Sequence, residues 1–364
     1  MKKVLGTWFL AAGCAGAAWA LLFYSPLAGE GIRQGLTVCV SVMIPSLFPF
    51  LILSDFVART RLGRMLEGPL GGVAERLYRC PRALAPAILM SWMGGYPAGA
   101  RVLAGMVERG VLTREEAGRA LTFCVNSGPA FLVAVVGAGV FGSGTAGLLL
   151  YLAHLLASLA VGLLFRFYKP GDGPRTRRSR GPQFQAASFP KAFTHSVTGA
   201  LQSTLNICAF ILFFTVFLRI LAHAGILTEA ARLLSALLAP LGLDQTWAER
   251  LLTGLVEVSS GVSSLTGGTL SGRLSMAAFM LGWAGVSIHC QVLAFLGDSG
   301  LSMRTYLAGK LLHGGISAAV AAALLRLVPL SSPASFYLAE QTEAIAQLDF
   351  QRALTLSAAA AWGV

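Results

Sequence analysis

The sequence is poor in charge. Of 364 residues, 28 are Lys or Arg and 16 are Asp or Glu, 12% of the chain, where a soluble globular chain carries about 25%. With 55% hydrophobic residues and a mean hydropathy of +0.69, polar surface is too scarce to coat one or two soluble domains. Disordered, fibrous and cytosolic-enzyme classes are therefore excluded, and an all-α polytopic membrane protein is expected. The chain also lacks cysteine patterning. Cys14, Cys39, Cys80, Cys124, Cys208 and Cys290 lie far apart, five of them inside apolar runs, with no CxxC or Cys/His cluster. They read as small core residues, with no disulfide framework and no metal site. No GxxxxGK[ST], HExxH or GxSxG occurs, and Ser259-Ser260-Gly261 has no base in a neighbouring motif, so no catalytic residues and no enzyme are expected. An intramembrane protease or lipid-modifying enzyme is the competing class. The net charge of +12 comes from arginines gathered at the ends of apolar runs. That pattern fits membrane topology and a lipid bilayer as partner, and it excludes nucleic acid.

What is abundant is apolar sequence. Met1-Lys2-Lys3 precedes a run from Val4 to Tyr24. Ala18-Trp19-Ala20 resembles a signal-peptidase site, but the run continues through Leu21, Leu22, Phe23 and Tyr24, which favours a retained first helix long enough to cross a bilayer. Further segments run over Gln34–Val57, Ala83–Val107, Ala120–Phe141, Gly147–Phe167, Ala192–Leu221, Leu251–Gly272, Leu274–Leu296 and Ser302–Leu327, nine candidates in all. A stretch rich in Gly, Pro, Ser and Arg between Lys169 and Lys191 reads as a linker. The expected organisation is an N-terminal transmembrane helix (1–30), a first repeat (31–168), a basic cytoplasmic linker (169–191), a second repeat (192–328) and a peripheral tail (329–364).

The positive-inside rule conflicts with nine full crossings. Arg59, Arg61, Arg64, Arg76, Arg79 and Arg82 make the loop after Val57 basic, and the central linker is basic as well, so both belong on the cytoplasmic side. Three apolar segments separate them, where an even number of crossings is required. The segment Ala83–Val107 is interrupted by Met93-Gly94-Gly95-Tyr96-Pro97-Ala98-Gly99-Ala100, a composition that breaks a helix. Each flanking arm of about ten residues reaches about 15 Å, half of a hydrocarbon core of about 30 Å. A re-entrant hairpin with its tip near the midplane satisfies both the parity and the composition. Such backbone survives only where it is buried or lines a cavity.

The two halves share an order of features. Gln34–Val57 holds Pro45-Ser46-Leu47-Phe48-Pro49, and its partner Ala192–Leu221 carries Gln202, Ser203, Thr204 and Asn206. The Gly/Pro hairpin is matched by Leu251–Gly272, interrupted at Glu257-Val258-Ser259-Ser260-Gly261. Asn126-Ser127-Gly128-Pro129 inside one span is matched by Gly282-Trp283-Ala284-Gly285-Val286-Ser287 inside another, and Tyr151-Leu152-Ala153-His154 by Tyr306-Leu307-Ala308-Gly309-Lys310. With a non-crossing hairpin each repeat crosses three times, so the second is inverted relative to the first. Inverted repeats with discontinuous helices at the midplane suit a secondary transporter.

Charges inside such a zone cost about 2.5–3.5 kcal/mol on insertion scales and need a partner or a task. Arg101 and Glu257 lie close to the expected tips. They either pair with each other, or Arg101 holds an anionic substrate while Glu257 binds a coupling proton or cation; the bland alternative puts Arg101 at the headgroups with Arg109. Pro129 and Gly128 free carbonyls and amides beside Asn126 and Ser127, a suitable lining for a polar ligand, or else a proline kink with Asn126 bonded to a neighbouring helix. Ser287, His289 and Gln291 are comparable in the second repeat. His154, His289 and His313 read as hydrogen-bonded structural residues. No cofactor is expected beyond a coupling ion, H+ or Na+, which the residues leave open; a homo-oligomer is compatible with the sequence.

The stretches Pro45-Ser46-Leu47-Phe48-Pro49-Phe50-Leu51-Ile52-Leu53-Ser54, Gly94-Gly95-Tyr96-Pro97-Ala98-Gly99-Ala100 and Phe123-Cys124-Val125-Asn126-Ser127-Gly128-Pro129-Ala130-Phe131 resemble the sporulation integral membrane protein YlbJ family, which carries nucleoside-recognition (Gate) domains. The resemblance covers roughly Gln34 to Leu327, with its specific motifs in the N-terminal half. It implies two inverted repeats similar to the core of concentrative nucleoside transporters. It also implies a place in the outer forespore membrane of a sporulating bacterium and the movement of dipicolinic acid (pyridine-2,6-dicarboxylate). For such a dianion, opposed hairpin tips would offer backbone N–H groups at Gly94, Gly95 and Gly99. Ser46, Asn126, Ser127, Gly128, Asn206, Ser259, Ser260 and Ser287 would add donors, Arg101 a cation, and Tyr96 or Trp283 a stacking face.

Overall fold

The computed structural model describes residues 2–168, 188–296, 299–328 and 330. Most of the expected linker, up to residue 187, and the tail after 330 lie outside the described residues. Among the described residues every regular element is helical, as a lipid solvent demands of a chain that must satisfy its own backbone.

α1 (Lys2–Phe23) precedes the repeats and has no counterpart in the second half. The first half opens with α2 (Ser25–Val38), which passes through a π-helical turn at Cys39–Met43 into α3 (Ile44–Arg59). The break expected at Pro45–Pro49 is thus a bulge in a continuous helix. Pro45 lacks a donor, and the N–H of Ile44 reaches one residue further back, to Cys39, so the helix axis is kept. The basic segment after Arg59, expected as a loop, is mostly a helix, α4 (Arg61–Arg76). Its charged residues recur around an apolar stripe containing Met65, Leu70 and Val73, so it suits the membrane–water boundary and not the bilayer core. Next come α5 (Ala85–Met93) and α6 (Tyr96–Glu108), joined by Gly94-Gly95. Then α7 (Arg114–Leu121) leads through an unwound segment, 122–129, into a π-wound helix at Ala130–Val140. α8 (Gly144–Phe165) closes the half.

The second half repeats the order. α9 (Phe189–His223) is followed by an amphipathic helix, α10 (Ile226–Leu238), with Leu233 and Leu237 exposed. The hairpin is α11 (Gln245–Val256) and α12 (Val258–Ser263), broken at Glu257. It therefore starts and ends earlier than the expected Leu251–Gly272. α13 (Leu270–Trp283) and α14 (Gly285–Leu296) form the second broken span, interrupted where Ala284 and Gly285 both take positive φ (83° and 82°). α15 (Met303–Leu327) ends the described fold.

Among the described residues five helical stretches are long and apolar enough to span a bilayer: Ser25–Val57, Gly144–Phe165, Phe189–His223, Leu270–Ala294 and Met303–Leu327. The first half's broken span adds a sixth crossing, giving three per half and an inverted second repeat. At about 1.5 Å per residue the hairpin arms reach only partway across. α15 packs between α13 and α8, and the backbones come close where Gly282 meets Gly314: a Cβ on Gly282 would lie 2.5 Å from the Gly314 Cα. Small residues that let helices approach substitute for the hydrophobic drive that lipid removes. Outward-facing Leu148, Leu152, Leu201, Leu205, Phe213 and Leu311 are exposed, as a lipid-facing surface requires.

Candidate functional site

Each of the four helix breaks frees backbone carbonyls that no water can satisfy, and in each a side chain from a neighbouring element takes the carbonyl. At the first hairpin the hydroxyl of Tyr151 donates to Trp92 O (3.0 Å) and that of Ser54 to Met93 O (3.0 Å). At the second, Trp283 Nε1–H donates to Leu255 O (3.1 Å). At the second broken span, where αL backbone at Ala284 removes the next amide, the Tyr96 hydroxyl donates to Leu281 O (2.8 Å). At the first broken span Phe123 O accepts from Asn126 Nδ2 (2.7 Å) and Ser158 Oγ (2.8 Å), and Val125 O accepts from the ammonium of Lys310 (2.8 Å). Freed N–H groups are capped too. Glu257, 1% exposed, accepts from the N–H groups of Ser259 (3.0 Å) and Ser260 (2.6 Å) at the start of α12.

These breaks surround a cleft open to its surroundings, with about 590 Å³ of space in and in front of it. The tip of the first hairpin contributes Met93, Gly94, Gly95 and Tyr96; the first break gives Ser127 and Gly128, the second tip gives Val258 and Ser259, and α14 gives Ile288 and Gln291. Gly95 takes φ +82°, and a Cβ on Gly128 would lie 3.0 Å from Met93 O and 3.3 Å from Gly95 N. Glycine at both positions lets the tip and the break meet backbone to backbone. The facing wall is apolar: Met43, Leu47, Phe50 and Leu51, with Ile207 from α9. Gln291 Oε1 is buried with no hydrogen-bond partner, and Ser127 Oγ is buried with the Tyr96 hydroxyl, already given to Leu281 O, in its reach.

Of the residues expected to contact a solute, Gly94, Gly95, Tyr96, Ser127, Gly128 and Ser259 therefore do line one cleft. The others stand elsewhere. Arg101 is exposed on α6, in electrostatic range of Asp55 and Arg59. It stands five residues into α6 with its side chain exposed, whereas Glu257 is 1% exposed. Glu257 caps its own half-helix and does not present its carboxylate to the cleft. Ser260 gives its N–H to that cap, and Trp283 caps Leu255. Asn126 is fully buried behind Ser127, bonded to Phe123, Ser91 and Ser158, the structural alternative for this residue. Gly99 carries no ligand contact; it lets α6 lie against the Cys124 carbonyl. Ser46 is half-buried on α3 outside the cleft lining, Asn206 is exposed on α9 one residue before Ile207, and Ser287 is buried away from the cleft.

The residue that pattern reading passed over is Lys310, quoted only for its place in a repeat. It is fully buried beneath Tyr96, its Nζ 5.7 Å from the ring centroid and 3.3 Å from His313 Nδ1. A lysine two turns into a 25-residue apolar helix was the available signal. His313 Nε2 in turn meets His154 O at 3.0 Å, and His154 Nε2 accepts the Ser127 N–H at 3.0 Å. The cluster thus reaches from the core of α15 to the cleft wall.

No protein-family profile matches the chain. It is similar to the sporulation integral membrane protein YlbJ of Bacillus subtilis (strain 168), with 28% identity over 314 residues, covering 81% of this chain and 77% of that protein. Its fold is similar to that of the concentrative nucleoside transporter CNTnw. An inward-facing, substrate-bound state gives a TM-score of 0.59 at 15% identity, covering 88% of this chain and 86% of that one. An intermediate state and an outward-facing state of CNTnw variants give 0.57 and 0.55 at 14% and 15% identity, each covering 90% of this chain and 87% of the other. The chain is an integral membrane protein with a concentrative nucleoside transporter fold, and its motifs' resemblance to the sporulation integral membrane protein YlbJ family is borne out over four-fifths of its length.

Proposed function

We propose that the protein is a carrier of a small aromatic carboxylate, dipicolinate or a close relative, across the outer forespore membrane. The carrying observation is the composition of the cleft. Aromatic and aliphatic walls from Tyr96, Phe50, Phe131 and Leu47 enclose an unpartnered acceptor, Gln291 Oε1, and the Ser127 hydroxyl, the arrangement of a site for a flat solute with polar edges. A cation, Lys310, lies directly behind the Tyr96 ring and biases the site towards an anion. Backbone amides about Gly95 and Gly128, with Ser127, would hold a carboxylate; Tyr96 and Phe131 would flank the ring. Similarity to a sporulation membrane protein supports the setting. A nucleoside-like solute is the second reading, favoured by the transporter fold alone.

The test is uptake by proteoliposomes of labelled dipicolinate and of uridine. Saturable dipicolinate uptake, with the half-saturating concentration raised about fivefold or more in Ser127→Ala and Gln291→Ala for a lost hydrogen bond of about 1 kcal/mol or more, supports the reading. Uridine uptake that dipicolinate does not inhibit selects the second. Uptake of neither, with both variants folded and sporulation unaffected, would refute the carrier role for these solutes.

A further inference from the structure

Three of the four helix breaks have their freed carbonyls capped by neutral donors, from Tyr, Ser and Trp. The break at 122–129 differs, because one of its carbonyls holds an ammonium. In secondary transporters the carbonyls of unwound helices are where coupling cations bind, and here that seat on Val125 O is taken by Lys310 at 2.8 Å. A buried cation should have a counter-charge, yet among the described residues Lys310 has none. Its partners are a carbonyl, an imidazole and the face of Tyr96. On α8 the titratable residues facing it are His154 and Tyr151, the latter spent on Trp92 O. On α14, His289 bonds Tyr306 of α15 at 2.9 Å. α13 has Arg273 near its first turn. On α7, Arg119 reaches Arg79 O and Arg166 O, Glu116 is held by Thr113, and Arg114 and Glu115 are exposed. No carboxylate is bonded to the ammonium from any of these elements.

The backbone fixes the imidazole tautomers. His313 Nε2 faces a carbonyl and so carries its proton there, leaving the Nδ1 lone pair towards Lys310. His154 accepts an amide N–H at Nε2 and so carries its proton on Nδ1, which is buried and unpartnered. An ammonium donor therefore faces a vacant basic nitrogen 3.3 Å away, within a low-polarity core that makes either charged form costly.

We propose that Lys310 is a tethered replacement for the coupling metal cation, and that the carrier is driven by protons that Lys310 passes to His313. In the step, the Nζ–H bond breaks and an Nδ1–H bond forms on His313. The neutral amine that remains still donates to Val125 O; the same Nδ1–H bond breaks again when a change of state admits water to the buried pair, that water takes the proton, and Lys310 regains one from water admitted from the opposite side. The inference rests on the carrier reading above for its role in transport, while the proton-carrying site itself does not depend on which solute is moved.

Five lysines, Lys2, Lys3, Lys169, Lys191 and Lys310, make the site readable by 15N-lysine NMR of the full chain in detergent micelles, with Lys310 identified by its absence in Lys310→Arg or Lys310→Gln. The expected result is one resonance, that of Lys310, that changes protonation state between about pH 5 and 9. A Lys310 signal that holds one protonation state across that range overturns the proposal, whatever solute is carried. In proteoliposomes, replacing sodium with choline should leave dipicolinate uptake unchanged and an acid-outside gradient should drive accumulation. Lys310→Arg, whose charge is permanent, should retain exchange but lose gradient-driven accumulation at least tenfold. Sodium-driven uptake, or acid-driven uptake undiminished in Lys310→Arg, overturns it. Absence of any dipicolinate uptake refutes the solute assignment, and the NMR titration then decides the proton site alone.

Discussion

Glu257→Gln separates a structural cap from an ion-binding carboxylate. Glu257 is buried and accepts two backbone N–H groups of α12, from Ser259 at 3.0 Å and Ser260 at 2.6 Å. Glutamine retains one acceptor oxygen, so one N–H keeps a neutral partner while the other meets the amide NH2. An orphaned buried donor costs about 1–3 kcal/mol, and the bond that survives loses its charge assistance, so a total near 3 kcal/mol is expected. At about 2–4 °C per kcal/mol, a scale taken from soluble domains of 150–250 residues, the melting temperature should fall by about 6–12 °C. The assay is thermal unfolding in detergent followed by a maleimide dye, with buried Cys39, Cys124 and Cys208 as reporters. Below its melting point, the folded variant should carry solute with the ion dependence of the wild type. A Gln variant with unchanged melting temperature and altered ion dependence would refute the cap and return Glu257 to a coupling role.

Tyr96→Phe leaves Leu281 O without its donor and should cost about 1–3 kcal/mol, read in the same melting assay; no change would show that the carbonyl finds another partner. Gly99→Ala places a methyl against the Cys124 carbonyl and 2.9 Å from Ser91 Cβ, both backbone-anchored, so a loss of about 3 kcal/mol or more is expected. Gly144→Ala, with nothing within 4 Å of the new methyl, is its control and should melt as the wild type does. Arg101→Ala, at an exposed position midway along α6, should leave solute uptake within about twofold of wild type, since exposed charges contribute less than about 1 kcal/mol; a tenfold loss would place Arg101 at the solute.

The spans and the first hairpin were legible because their signals are compositional. Apolar runs count crossings, Gly94-Gly95 with Pro97 marks a tip, and the parity of basic segments exposes a segment that does not cross. The amphipathic helices α4 and α10 were not legible as helices, because charge density reads as loop when the only template is a spanning run. The exposure of Arg101 escaped as well. Position after a tip in sequence says nothing of whether a side chain on α6 is exposed, as that of residue 101 is. Within the site, Ser127 and Asn126 are adjacent in sequence and opposite in role, and only the fold decides which faces the cleft. The apolar lining, Met43, Leu47, Phe50 and Leu51, was invisible for a different reason: lipid is as apolar as a binding wall, so hydropathy cannot separate the two.

The capping bonds also divide the molecule. Tyr96 of the first half holds Leu281 of the second, and Lys310 of the second holds Val125 of the first. Both hairpin tips and both broken spans are tied into one body by bonds that would each leave a buried polar group behind if broken. α2 and α3 pack instead on α9, joined by Arg219 with Glu30 and Gln34 and by Ser196 with Asp55. The cleft lies between these two bodies. Its polar groups belong to the first, while the wall offered by α3 and α9 is Met43, Leu47, Phe50, Leu51 and Ile207. A hydrogen bond crosses between the bodies, from Ser54 of α3 to Met93 O, so displacing the wall along the polar body breaks that bond besides exchanging dispersion contacts of about 0.1–0.2 kcal/mol per atom pair for others of the same kind. Opening the polar body would instead strand carbonyls in a medium without water. The movement that strands the fewest buried carbonyls, Met93 O alone among those named, is therefore of the tip-bearing body, with any solute and Lys310 on board, against α2, α3 and α9.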